Sequence, residues 1–446
     1  MTLSDILTGI PDYRDFPTLE ELHHSSLRLV DEFPELAKLQ VIGSSTDGRP
    51  IELLTIGHGK RTVLFLGAPH PNEPIGVLTL EFLSRLLCEQ SELREQFDCT
   101  FLIVKASDPD GLALNEGWFK GTFSPIKYAL NYYRPPQDEQ VEWGFPIHYK
   151  TLHFTTPPAE TQVVMQLMQQ CRPDFLSSLH NASFCGVYFY LSQHLPALFP
   201  QLHQLVADHR LPLHGGEPEV PYIEAWDRAI YPLFGAREGY DFMAKNLGED
   251  PAPFFSTGTS TDDYLKTLVP HALSFICELP YFTDPALEDQ SLSGTSRRKA
   301  MEDGLQRTEA TVRILETHFS ALRERLPQNR LFRSVAEYLR RTPKRLIAQR
   351  NALANPAYQQ EATGAQAFDA RVCRSFHCLL YLGELYRLAS DIGERERAVA
   401  MRTHIEERMA QIEAEGALQI LPLQKLVSLQ VGSGLLALAA GTNDLP

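Results

Sequence analysis

Four short apolar runs constrain the fold of this chain more than any other feature: residues 62–66 (TVLFL), 101–104 (FLIV), 175–179 (FLSSL) and 272–279 (ALSFICEL). Each has the length and the branched or aromatic content of a strand buried on both faces. Helical patterns follow the first run, at 75–87, and precede the third, at 160–170. Strands alternating with helices imply a largely parallel sheet with helices on both faces. In such sheets ligands bind beyond the carboxyl ends of the strands, and His70, His180 and Glu278 stand at those ends. Upstream, Thr18 with Glu21 three residues later predicts the capped start of a helix over 18–37. Strand-like runs at 39–43 and 51–56 flank a turn at 46–50, and Asp108-Pro109-Asp110-Gly111 reads as another turn.

His70-Pro71-Asn72-Glu73 places an imidazole and a carboxylate three apart where a buried strand enters a helix. Catalytic zinc takes three such ligands and keeps one position open. In a chain with 15 histidines the tetrapeptide alone reads equally as a helix N-terminus, with Glu73 favoured there by the helix dipole. His180, directly after an apolar strand, stands where a third ligand has to come from. Glu278 lies inside a run so apolar that its charge is costly without a partner or a task. Burial raises a carboxyl pKa toward the range of a general base; the other reading is a buried glutamate paired with an arginine. Arg134, in Asn131-Tyr132-Tyr133-Arg134-Pro135, can grip a substrate carboxylate with two N–H groups or simply brace the proline loop after it.

Strand-like runs stop near Ser296, and helical patterns at 298–326, 331–353, 366–391, 394–415 and 421–440 take over. The expected division is therefore an α/β catalytic domain over 1–295 and a helical domain over 296–446, the latter a structural or dimer-forming bundle without a site motif. A net charge of -15, from 41 basic and 56 acidic residues, disfavours nucleic acid and anionic membranes as partners. No window holds 18 uninterrupted apolar residues, the first residues lack a basic segment ahead of a long apolar one, and the seven cysteines form no C-x-x-C pair. A cytoplasmic protein is the expectation.

Several of these segments, in order, resemble the zinc carboxypeptidase family. Gly43-Ser44-Ser45-Thr46-Asp47-Gly48-Arg49 is similar to its G-x-S-x-x-G-R turn, and His70 with Glu73 to its H-x-x-E ligand pair. The segments 108–111 and 131–134 resemble the loop and the D-x-N-R stretch; Pro158-Ala159-Glu160-Thr161 resembles a helix start, and Leu179-His180 the third-ligand site. Glu278-Leu279-Pro280-Tyr281 is similar to the catalytic E-L-P segment. The resemblance spans about residues 16–284 and implies a mixed, largely parallel α/β sheet flanked by helices. It also implies one Zn²⁺ per chain on His70, Glu73 and His180, with Glu278 taking a proton from the zinc-polarised water and passing it to the leaving amine.

The departures from that family bear on the substrate. Its aspartate that orients the first zinc histidine falls on Asn131, an asparagine of the carboxylate pocket on Tyr133, and its mobile tyrosine at about Phe254, with Tyr264 nearby. No arginine occurs in 117–133, where Lys120 and Lys127 stand instead. Thr261 and Asp262 in the 256–264 loop, and the acidic, aromatic 215–226 insertion, suit a small polar, amine-bearing substrate. Arg134 is the expected carboxylate anchor, with Tyr133, Thr261 and Asp262 as further substrate contacts. Three functions follow: a peptidase acting on a small peptide, an N-acyl amino acid amidohydrolase of the aspartoacylase or succinylglutamate desuccinylase type, and an inactive binding protein.

Overall fold

A computed structural model describes residues 2–441; residues 442–446 of the expected helical domain lie outside the described ones. Eight strands form one sheet: β1 (Ala37–Ser44), β2 (Pro50–Ile56), β3 (Arg61–Leu66), β4 (Cys99–Val104), β5 (Phe175–Ser178), β6 (Tyr188–Leu191), β7 (Ile230–Pro232) and β8 (Leu273–Glu278). Their order is β1-β2-β4-β3-β5-β8-β6-β7. β4, β3, β5 and β8 run parallel at its centre, and β2 and β6 flank that block antiparallel. The sheet is mixed and largely parallel, and all four apolar runs lie in its parallel block.

Strand geometry sends successive side chains to opposite faces. Val63, Phe65, Phe101 and Ile103 join the core beneath helix α2 (Ile75–Glu89), while Leu64, Leu66, Leu102 and Val104 join a second core against α3 (Ala159–Cys171). Ahead of the sheet, α1 (Leu19–Glu32) starts on the expected capping box: Thr18 Oγ1 accepts the Glu21 N–H and the Glu21 carboxylate accepts that of Thr18. The expected turn at 108–111 is a helix start instead. Asp108 Oδ1 accepts the Gly111 N–H at 2.8 Å, and Pro109 takes the first helical position, where its missing N–H costs nothing.

Five long helices follow: α4 (Arg297–Leu322), α5 (Arg330–Ala352), α6 (Arg374–Asp391), α7 (Arg395–Glu415) and α8 (Leu423–Gly441). One cluster of buried apolar side chains runs from Ile6 through the sheet to Ala439, crossing the expected boundary at 295/296. Among the described residues α8 alone is long and apolar enough to cross a membrane, but 67% of that span is buried inside the fold. It packs on α2 and β8, so its apolar composition matches a core helix covered on most sides. Polar contacts tie the helical region down as well. Arg330, with a side chain 10% exposed, reaches Asp47 at 2.9 Å and the fully buried Asp110 at 2.6 Å.

Removing one partner of a buried ion pair strands the other charge in low dielectric. Arg330→Met is therefore expected to destabilise the protein by about 3 kcal/mol, read as a lower urea midpoint. An unchanged midpoint would show that Arg49, 2.7 Å from Asp110, neutralises it alone.

Candidate active site

The loop after β3 and the loop after β5 bring three donors together. After Leu66 the chain passes Ala68 in a left-handed conformation (φ 45°) and turns at His70, whose carbonyl accepts the Glu73 N–H at 3.0 Å. Helix α2 starts two residues later. At Gly76, in its first turn, a Cβ would lie 2.5 Å from the Leu179 Cβ, so only glycine lets the helix sit flush on the β5 exit. Asn181 locks the junction: its Oδ1 accepts the Ile75 N–H, and its own N–H donates to Glu73 Oε2, both at 3.3 Å. Gln430 of α8 donates to the His180 carbonyl at 2.9 Å and accepts from Thr79 Oγ1 at 2.8 Å.

His180 Nδ1 lies 2.9 Å from Glu73 Oε2 and 3.1 Å from His70 Nδ1, and His70 Nδ1 lies 3.1 Å from Glu73 Oε1. The three residues are 2–5% exposed, and their ligand atoms all lie within 4.8 Å of one another. This group could hold a metal ion. Two imidazoles and one carboxylate suit a borderline-soft cation, and a tetrahedral ion with bonds of 2.0–2.2 Å wants donors about 3.4 Å apart, a few tenths wider than seen here. Charge agrees with that fit. Burial and the Arg134 guanidinium push His70 down to about 4, which keeps its ring neutral as a ligand. Burial pushes Glu73 up, but His70, His180 and Arg134 together hold it well below the usual carboxylate range. Glu142, 6% exposed, stands 3.4 Å from His180 Nε2 and accepts from Ser178 Oγ at 2.6 Å. Without a metal, burial lowers His180, yet Glu142 and Glu73 raise it well above the ordinary histidine value. Two buried carboxylates thus flank this imidazole, Glu73 on its Nδ1 side and Glu142 on its Nε2 side.

Glu278 closes β8 directly opposite Tyr188 of β6, so the two side chains share one face of the sheet. Burial, then the charge of Glu73, holds its carboxyl well above the usual range, and among the described residues that carboxyl makes no hydrogen bond. It keeps some solvent-accessible surface and lies within electrostatic reach of Glu73 and His180. Arg134 lies on the same side: its Nη1 donates to Glu73 Oε1 at 2.9 Å, and its backbone N–H donates to Glu384 Oε1 of α6 at 3.0 Å.

Other expected contacts are placed elsewhere. Tyr133, fully buried, sits beside Asp108 and Arg330; Thr261 donates to the Glu142 carbonyl; Asp262 pairs with Lys266 at 2.7 Å. At 0–5% exposure these three offer a substrate no surface. Lys120 is paired with Glu21 of α1, and Lys127 donates to the Lys120 carbonyl, so neither replaces the missing arginine. The Tyr264 hydroxyl accepts from Gln169 on α3. Asn131 donates to the Lys127 carbonyl and does not reach His70, because its amide stays within its own helix turn. Sequence reasoning missed Glu142, although an acid between Val141 and Trp143 is the signal that singled out Glu278. Glu384 and Gln430 carry no such signal, being single polar residues in helical repeats.

Comparison with known proteins bears on this geometry. The zinc carboxypeptidase family model matches residues 24–213, a stretch that takes in His70, Glu73, Arg134 and His180 and ends before Glu278. Over this stretch the chain is similar to the zinc carboxypeptidase family. That similarity supports a metallopeptidase, a hydrolase class in which the trio has a use. No curated protein matches the chain. Among solved structures, carboxypeptidase A from Helicoverpa armigera is 16% identical, with 63% of this chain and 69% of that one covered at a TM-score of 0.40. A metallo-carboxypeptidase from Burkholderia cenocepacia is 17% identical over 59% of this chain and 60% of that one, at 0.36. Scores this low carry no argument, so the fold rests on the sheet order and strand pairing described above.

Glu384 gives a test of how α6 supports Arg134. It is fully buried, its Oε2 has no partner, and burial lifts its pKa from 4.5 to about 8. A carboxyl raised on folding contributes stability below about 4.5 that is lost as pH climbs toward about 8. Glu384→Gln should therefore gain thermal stability over the wild type steadily between those limits. Parallel melting curves across that window would show that Glu384 titrates normally.

Proposed function

We propose that the protein is a zinc-dependent carboxypeptidase-type peptidase that hydrolyses an amide bond beside a free carboxylate in a small polar peptide. The observation that carries this reading is the convergence of His70, Glu73 and His180 within 4.8 Å, with the Glu278 carboxyl in electrostatic reach of Glu73 and His180. Zinc held there, one per chain, supplies a Lewis acid that polarises a carbonyl and brings the pKa of bound water to about 7. Glu278 accepts a proton from water and later delivers it to the leaving amine; a carboxyl raised by burial is well matched to both transfers near neutral pH. Arg134 keeps N–H donors beyond the one given to Glu73 and holds the substrate carboxylate through them. Glu142 orients His180 from behind, as carboxylates do for metal-binding histidines. Glu219, in the 215–226 insertion, accepts from the Tyr190 hydroxyl at 3.0 Å and presents an anion near Glu278, which suits an amine on the substrate.

Elemental analysis is expected to find about one zinc per chain and to find it lost in His180→Ala; full zinc in that variant would remove His180 from the ligand set. Glu278→Gln should keep zinc and fold yet lose at least about a hundredfold in kcat, since an amide cannot take the proton. Near-normal turnover would refute its role as base. A screen of dipeptides, gamma-glutamyl peptides and N-acyl amino acids for released amine distinguishes the peptidase from an N-acyl amino acid amidohydrolase.

A further inference from the structure

Helix α6 turns one stripe toward the segment that carries Arg134. Glu384 holds the Arg134 backbone, and one turn earlier the Tyr381 ring meets Tyr132 edge-on at 6.2 Å. His377 follows at the next i−4 position, on the same face. The helix is seated tightly there: a Cβ on Gly383 would lie 1.8 Å from the Ala129 carbonyl oxygen. Helix α5 runs antiparallel alongside, with Tyr338 stacked on Tyr381 at 3.8 Å and donating to Cys378 Sγ at 3.4 Å. Extending that register by two turns sets Arg345 across from Arg374 and His377.

Electrostatics agree with that placement. Burial pushes His377 down to about 4, opposed by Asp369 and helped by Arg134, Arg374 and Arg345. Three guanidiniums therefore lie within electrostatic reach of one ring, which keeps solvent-accessible surface. Their commitments differ. Arg134 is tied to Glu73; Arg374 lies 3.6 Å from Asp369 and donates to the Pro218 carbonyl at 3.4 Å. Among the described residues Arg345 has no ion pair or hydrogen bond, and the His377 imidazole and Tyr381 hydroxyl have no hydrogen-bond partner. In a chain of net charge -15, an uncommitted arginine beside a cleft is a local exception.

We propose that Arg345, with His377 and Tyr381, forms an anion-binding wall of the active-site cleft and takes the substrate's free carboxylate together with Arg134. The inference rests on the peptidase reading above and deepens it: the helical region, not the metal-binding domain alone, selects substrates that end in a carboxylate. The missing family arginine is then replaced from a part of the chain that the family model does not match.

The test compares peptides with a free C-terminus against the same peptides amidated, using zinc-loaded protein. Arg345→Ala should raise KM for the free acids about tenfold, with the loss on KM rather than kcat, and change the amides little. Arg345→Glu should do so more strongly. Equal effects on acids and amides, or none, would overturn the proposal; Arg345 makes no ion pair or hydrogen bond among the described residues whose loss would unfold the chain. If the wild-type protein holds zinc but cleaves no peptide, the peptidase reading fails separately. Calorimetry with glutarate then decides the wall on its own: binding weakened in Arg345→Glu supports it, and equal binding in both proteins overturns it.

Discussion

A single buried carboxylate organises this molecule. Glu73 is 4% exposed, and an ionised group so placed needs compensation from every side. His70 comes from its own turn, His180 from the next strand of the sheet, and Arg134 from the helix-and-loop segment after β4. Two of these groups are in turn held by something further out, Glu142 behind His180 and Glu384 under Arg134, while Asn181 ties Glu73 itself to the helix junction. The site is thus a set of nested polar groups, and one of the outer ones, Glu384, lies in the C-terminal helices. A cation among the three donors completes the balance that the surrounding acids leave open.

Much of this was legible in the residues. Buried parallel strands announce themselves as short apolar runs, and a polar residue closing such a run lies at a sheet edge; that logic located His180 and Glu278. The capping box at Thr18 and the five C-terminal helices are local patterns, written in neighbouring residues, and they were readable for the same reason. What escaped depends on contacts between distant segments. Tyr133, Thr261 and Asp262 were expected at the cleft because of where they fall along the chain, but packing turned each inward. Asn131 was matched by position to a group that should touch His70, whereas its amide closes onto its own helix. Nothing in the spacing of Glu384 or Gln430 distinguishes them from other polar residues of a helix.

The helical region shows how function can be divided across a fold without a visible motif. Its residues join the same apolar core as the sheet, and Arg330 pairs with acids of the β1–β2 turn and the helix after β4. Helix α5 also braces the loop before the 256–264 segment, through Lys344 to Glu249, and the segment's first residue, whose Ser256 hydroxyl donates to Glu337. A bundle tied down at so many points helps fix the conformation of the loops it touches.

The hydrogen bond from Gln430 to the His180 carbonyl spans 250 positions of sequence. Chains are synthesised at about 5–20 residues per second and fold as contacts become available, so this support is missing until residue 430 has cleared the ribosome. Donors for the metal are all made by residue 180, yet the helix that fixes the backbone of the third arrives last. A nascent chain therefore lacks this brace on the third donor through much of its synthesis, and the backbone at His180 is fixed only when α8 docks. Long-range closure of this kind slows folding, and it leaves the arrangement of the three donors a property of the finished molecule.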